Sequence, residues 1–230
     1  MAKQRSIEIV EYKVQQTEFF LCQLRSLDLN IFAAQCYTDA FVSSARTVTL
    51  AMQAVISKVP GFGDWYAIQQ EMLKQDRLAR FFVEYRNVST KIGDTVVGAG
   101  DMTVNPEGGH IVRHYFMPIP DLTFVPDVDV VTACEQYFTV LLRIVFNAML
   151  KFKYVLDDRW YFTIENFREM GKSFENALSE LGLPSVLVEA FASLDEADRW
   201  KMLRKNQTVG CQINDLFMRY LGVFILGPDD

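Results

Sequence analysis

Proline and glycine are sparse in this chain, seven and twelve of 230 residues, which argues against a loop-dominated or all-β protein. Cysteine is thinner still: Cys22, Cys36, Cys134 and Cys211 stand far apart, and each falls in an apolar stretch that reads as helix. They are expected to be reduced core thiols. No apolar run precedes Glu8 and Glu11, as a secretory leader would require, so a cytoplasmic protein is expected. The most apolar stretch, Tyr137 to Leu150, is broken by Arg143 and Asn147 and falls short of the roughly 20 residues a bilayer demands. A buried helix is expected there, and no membrane partner.

Chemical motifs are as scarce. There is no Cys-x-x-Cys, no His-Glu-x-x-His and no Walker loop, and Gly98-x-Gly100 lacks a following helix. Ser43 and Ser44 sit mid-helix without a strand-to-helix elbow. His110 and His114 have the spacing of a helical metal pair, but in an extended strand their Cα atoms would stand about 13 Å apart. Neither a metal nor a cofactor is expected. A net charge of -6 means that the surface as a whole repels phosphate, so any nucleic-acid contact needs a local basic patch.

Half the residues are apolar, with eighteen Phe and nine Tyr among them, enough for one large core or a bundle with an appended subdomain. Apolar periodicity predicts helices over about 6–26 and 30–58, the second stopped by Pro60 and Gly61. Asp64 reads as the cap of a helix from Trp65 to Lys74, and Asp76 as the start of another through Phe81, Phe82 and Tyr85 to about Lys91, closed by Gly93. The β-branched runs from Thr95 to Met117, around Gly108-Gly109, predict a hairpin. Beyond Pro118, Pro120 and Pro126, Asp127 or Asp129 can cap a long helix to about Leu156. It is apolar around most of its circumference except for Gln136, Arg143, Asn147 and Lys151, which suggests a central or interfacial helix. Shorter helices follow, broken at Gly182-Leu183-Pro184 and near Asn206. The acidic start and basic end around Asp195 to Lys205 read as dipole patterning rather than as half of a helix-turn-helix.

Two polar groups stand out. Asp39, Ser43 and Arg46 share one face of an otherwise apolar helix, so Arg46 either pairs with Asp39 or another carboxylate, or faces a site. Arg86, Asn87 and Lys91 lie at a helix end, Asn87 and Lys91 on one face and Arg86 about 100° around from Asn87. A guanidinium, an amide and an ammonium together suit a phosphodiester and charge that builds up on it. The same residues also suit dipole pairing of Lys91 and ion pairs of Arg86 with Glu84, Asp94 or Asp101.

The stretch from Trp65-Tyr66 through Phe81-Phe82-Val83-Glu84-Tyr85-Arg86-Asn87 to Lys91-Ile92-Gly93-Asp94 resembles the motif-bearing part of the HEPN superfamily of helical bundles. The resemblance spans roughly residues 6–156 and includes Ala45-Arg46-Thr47-Val48-Thr49. It implies a core of about four helices and a homodimer. Its nuclease members are metal-independent endoribonucleases, so Arg86, Asn87 and Lys91 would be catalytic and Arg46 and Asp94 substrate-binding. In that superfamily a His follows the Arg near the helix end, and Lys91 takes its place here. Histidine exchanges protons near pH 6.5, whereas lysine, near 10.4, stays charged and makes a poor general base.

The expectation is therefore an all-α, HEPN-like bundle over 1–157 with a hairpin at about 95–125, and a helical extension over 158–230. Its partner would be RNA, bound or weakly cleaved. The alternative is a dimeric interaction protein whose Arg-Asn-Lys cluster is structural.

Overall fold

In a computed structural model of the protein, residues 7–104, 106–184, 191, 193–205 and 210–230 are described, with the backbone alone at 206 and 207. The described chain is mostly helical with one two-stranded antiparallel hairpin. It divides into two compact units, Met1–Ile144 and Val145–Asp230, a division inside a long helix and ahead of the expected 157/158 boundary.

The first unit opens with α1 (Glu8–Arg25) and α2 (Ile31–Ile56). Asn30 caps α2, its side-chain oxygen accepting from the Ala33 N–H at 3.0 Å. Ala34, Thr38, Phe41, Ala45, Val48, Met52 and Ile56 recur at three- and four-residue steps and are all buried. Polar groups on that face find partners: Thr38 donates to the Ala34 carbonyl, and the Thr17 and Ser44 hydroxyls meet at 3.0 Å between α1 and α2.

Asp64 does not cap the next helix. α3 (Phe62–Gln75) starts earlier, because Gly61 takes a left-handed conformation (φ 77°) that turns the chain at once and lets Phe62 stack on Tyr66 at 5.2 Å. Asp76 both ends α3 and caps α4 (Arg77–Ile92), accepting from the Ala79 N–H at 2.8 Å. Gly93, at φ 77°, closes α4.

The hairpin joins β1 (Val97–Val104) to β2 (His110–Phe116), with an irregularity between Val97 and Ala99. Gly100 pairs with His114, and a Cβ there would stand 3.2 Å from the Arg113 carbonyl and 3.4 Å from the His114 ring, so a side chain would crowd this close approach. Asp129, rather than Asp127, caps α5 (Val130–Lys151), accepting from the Thr132 N–H at 3.0 Å. The expected run to Leu156 is interrupted at Phe152 and resumes as the short α6 (Lys153–Leu156).

Within the first unit Phe41, Phe81, Phe82, Tyr85, Phe116 and Tyr137 form an aromatic seam, with Phe82 stacked on Tyr137 at 4.8 Å and Phe81 edge-on to Phe116 at 4.9 Å. Tyr137, Phe138, Leu141, Leu142 and Ile144 are buried within their own chain, while Gln136 and Arg143 are exposed. Most apolar residues of α5 are thus buried within the chain, while Leu150 is exposed.

The second unit continues with α7 (Asp158–Tyr161), α8 (Ile164–Glu169), α9 (Phe174–Glu180), α10 (Glu196–Gln207) and α11 (Asn214–Leu221). Phe162, Phe167, Phe174 and Trp200 centre its core. Arg204 forks onto Asp229 with two bonds of 2.7 Å, and Arg159 bridges Asp157 and Asp230. α10 continues past Asn206 to Gln207, and the turn a helix-turn-helix would need includes residues 208 and 209, outside those described.

The thiols need correcting. Only Cys134 is buried; Cys36 is exposed, because it lies about 200° around α2 from the core residue Ala34, and Cys211 lies in a loop rather than a helix.

His114 is 3 % exposed and its Nε2 has no hydrogen-bond partner among the described residues. Burial lowers its pKa below the ordinary 6.5, against a weaker opposite pull from Asp28. The folded protein therefore binds fewer protons at this site than the unfolded chain. Its stabilising share is full above pH 6.5 and is lost as pH falls through the window below. Thermal melting from pH 7.5 to 5 is expected to show a steeper drop for the native chain than for His114→Leu.

Candidate anion-binding site

Arg46 is exposed on α2 and does not pair with Asp39; its guanidinium donates to the Thr49 hydroxyl at 3.1 Å, one turn on. Asp39 is engaged elsewhere, accepting from the Tyr85 hydroxyl at 2.5 Å. Burial, followed by this bond, raises the Tyr85 pKa strongly, so the phenol remains a donor to the carboxylate. The bond ties α4 to α2 and fixes the rotation of α4.

With that rotation set, Arg86 lines a small crevice with Val42, Arg46, Phe82, Val83 and Tyr137. The sequence-predicted residues thus divide. Arg46 and Arg86, forty positions apart, are brought together. Asn87 and Lys91 are exposed and do not line the crevice, Lys91 lying about 140° around α4 from Arg86. Asp94, just beyond Gly93, is exposed and accepts from the Thr95 N–H at 3.2 Å. Neither Arg86 nor Lys91 forms an ion pair with any described residue, so Glu84, Asp94 and Asp101 do not neutralise Arg86.

Tyr137 is the residue the sequence reading missed. It is 7 % exposed and lines the crevice. Burial pushes its pKa up to about 12, partly offset by the nearby Arg46 charge, so the phenol stays protonated. Tyr137, Arg46 and Arg86 therefore line one small space, residue types whose donors suit phosphate or carboxylate oxygens. A polar signal for Tyr137 is absent from the sequence, where it stands amid the apolar positions of α5.

A wider cleft of about 230 Å³ adjoins the crevice and shares Arg46, Val83 and Tyr137 with it. Thr49 from α2, Tyr66, Gln70, Leu73 and Lys74 from α3, and Ala79, Arg80 and Glu84 from α4 complete it. Arg80 and Glu84 are one turn apart but make no ion pair, and Lys74 reaches Glu71 at 3.7 Å in open solvent.

These placements separate structural from available groups. Tyr85→Phe, which strands the Asp39 carboxylate, is expected to cost about 1–3 kcal/mol in urea unfolding. Arg46→Ala, at an exposed position, should change stability by no more than about 0.5 kcal/mol.

A family model described as Bacteriophage lambda protein ea47 matches residues 30–101. That stretch runs from the cap of α2 through α3 and α4 into β1, and carries Arg46, Arg86, Asn87, Lys91 and Asp94. No curated protein and no solved structure matches the chain. Over those 72 of its 230 residues, the chain is similar to the phage lambda family that carries this description.

Proposed function

We propose that the first unit is a HEPN-like bundle whose α2–α4–α5 crevice binds a phosphate of RNA. The observation that carries this reading is the meeting of Arg46, Arg86 and Tyr137 around one space, with no carboxylate among the described residues lining it. The surface carries a net charge of -6, so a polyanion gains most where cations are concentrated and uncompensated.

Binding is favoured over cleavage. Phosphodiester cleavage at neutral pH calls for a group that can take up and release a proton, and no histidine lines the crevice or the cleft beside it. Lys91 projects elsewhere and serves as an outlying positive charge along the path of the strand. In the interaction-protein alternative, Arg86 would knit helices together through a charged network. Its lack of an ion-pair partner among the described residues speaks against that role.

Fluorescence anisotropy with a labelled oligoribonucleotide at low salt tests the proposal. Arg46→Ala and Arg86→Ala should each weaken binding about tenfold, and each should reduce the slope of log K against log salt by roughly 0.7. Lys91→Ala should weaken it less than either. Absence of RNA binding by the native chain at tens of micromolar would end the RNA reading, as would unchanged binding by the Arg46→Ala, Arg86→Ala double variant.

A further inference from the structure

Resting on the phosphate-binding reading, we propose that the cleft between α3 and α4 is a nucleobase pocket, which holds one unstacked base beside the bound phosphate and prefers guanine. Arg46 and Tyr137 border both the crevice and the cleft, so a group in one touches the residues that line the other. A phosphate and its own base are the covalently linked pair that fits a small crevice adjoining a wider cleft with shared lining.

Size and lining select the base. At about 230 Å³ the cleft lies below the roughly 300 Å³ at which pockets begin to enclose drug-sized ligands, so it suits one flat ring system. Tyr66 and Tyr137 supply aromatic surface, each stacked on a phenylalanine: Tyr66 on Phe62 at 5.2 Å and Tyr137 on Phe82 at 4.8 Å. These stacks hold the two rings in place before a ligand arrives. Leu73, Ala79 and Val83 add apolar contact, and the Arg80 guanidinium offers a plane on which a base can stack.

Glu84 sets the preference. It is the only carboxylate lining the cleft, and it pairs with no cation among the described residues. A carboxylate only accepts hydrogen bonds, and its two oxygens match two adjacent donors. Guanine presents N1–H and the 2-amino group side by side, whereas uracil flanks a single N–H with two carbonyl oxygens that a carboxylate repels. The Gln70 amide, exposed at the rim, can both donate to and accept from the remaining edge of the base.

The test is competition against labelled RNA by GMP, UMP and ribose 5-phosphate, which share one phosphate and differ in the base. GMP should displace the RNA at about a tenfold lower concentration than ribose 5-phosphate, in keeping with the stacking of one base on aromatic side chains, and at a lower concentration than UMP. Glu84→Gln should collapse the ratio between GMP and UMP. Gln70→Trp, at an exposed position that lines the cleft but not the crevice, should remove the advantage of GMP over ribose 5-phosphate while melting like the native chain. Equal competition by all three overturns the base pocket. The phosphate reading still stands in that case if Arg46→Ala weakens RNA binding. Equal competition by GMP and UMP, both better than ribose 5-phosphate, overturns the guanine preference. If the native chain binds no labelled RNA, both readings fall together.

Discussion

The stacking of Phe82 on Tyr137, 4.8 Å between ring centres and 20° from parallel, sets the geometry on which the candidate site depends. Phe82 is 1 % exposed, and truncating a residue so buried typically costs about 3–5 kcal/mol. With Phe82 pressed against α5, Arg86, one turn further along α4, emerges on the same side. The bond from Tyr85 to Asp39 restrains the same helix from its α2 side. Between them the two contacts leave α4 little freedom to rotate, and Arg86 is directed to the place where Arg46 also arrives.

The seam has a chemical consequence beyond packing. Tyr137 buries its ring against Phe82 and also borders the crevice that Arg46 and Arg86 line. Asp39 carries the opposite lesson. Its spacing from Arg46 suited an ion pair, yet Tyr85 holds it, and Arg46 is left with only the Thr49 hydroxyl. A guanidinium with one neutral partner retains most of its donors for an incoming anion.

Much of the fold was legible in local signals. Asn30 and Asp76 cap helices as their side chains dictate, Gly93 ends one, and the β-branched run around Gly108-Gly109 forms the hairpin. Misreadings arose where two local signals competed. Asp64 was an adequate cap, but Gly61 turned the chain first, and the exposed Cys36 was assigned to the core by the apolarity of its neighbours rather than by its own angle on α2. For the site, periodicity singled out Arg46 and Arg86 but grouped Arg86 with Lys91, since closeness along a helix says nothing about which flank another helix covers.

The sequence by itself determined the helical character of the chain, several of its helix ends at Asp76 and Gly93, and the presence of two unusual arginines in apolar surroundings. These follow from capping, backbone conformation and periodicity, which act over a few residues. Only the tertiary structure decided that Arg46 meets Arg86 and Tyr137, that Asp39 belongs to Tyr85, and that Lys91 stands apart. Those outcomes depend on the angle at which α2, α4 and α5 pack, and that angle is set by aromatic side chains far apart in the chain.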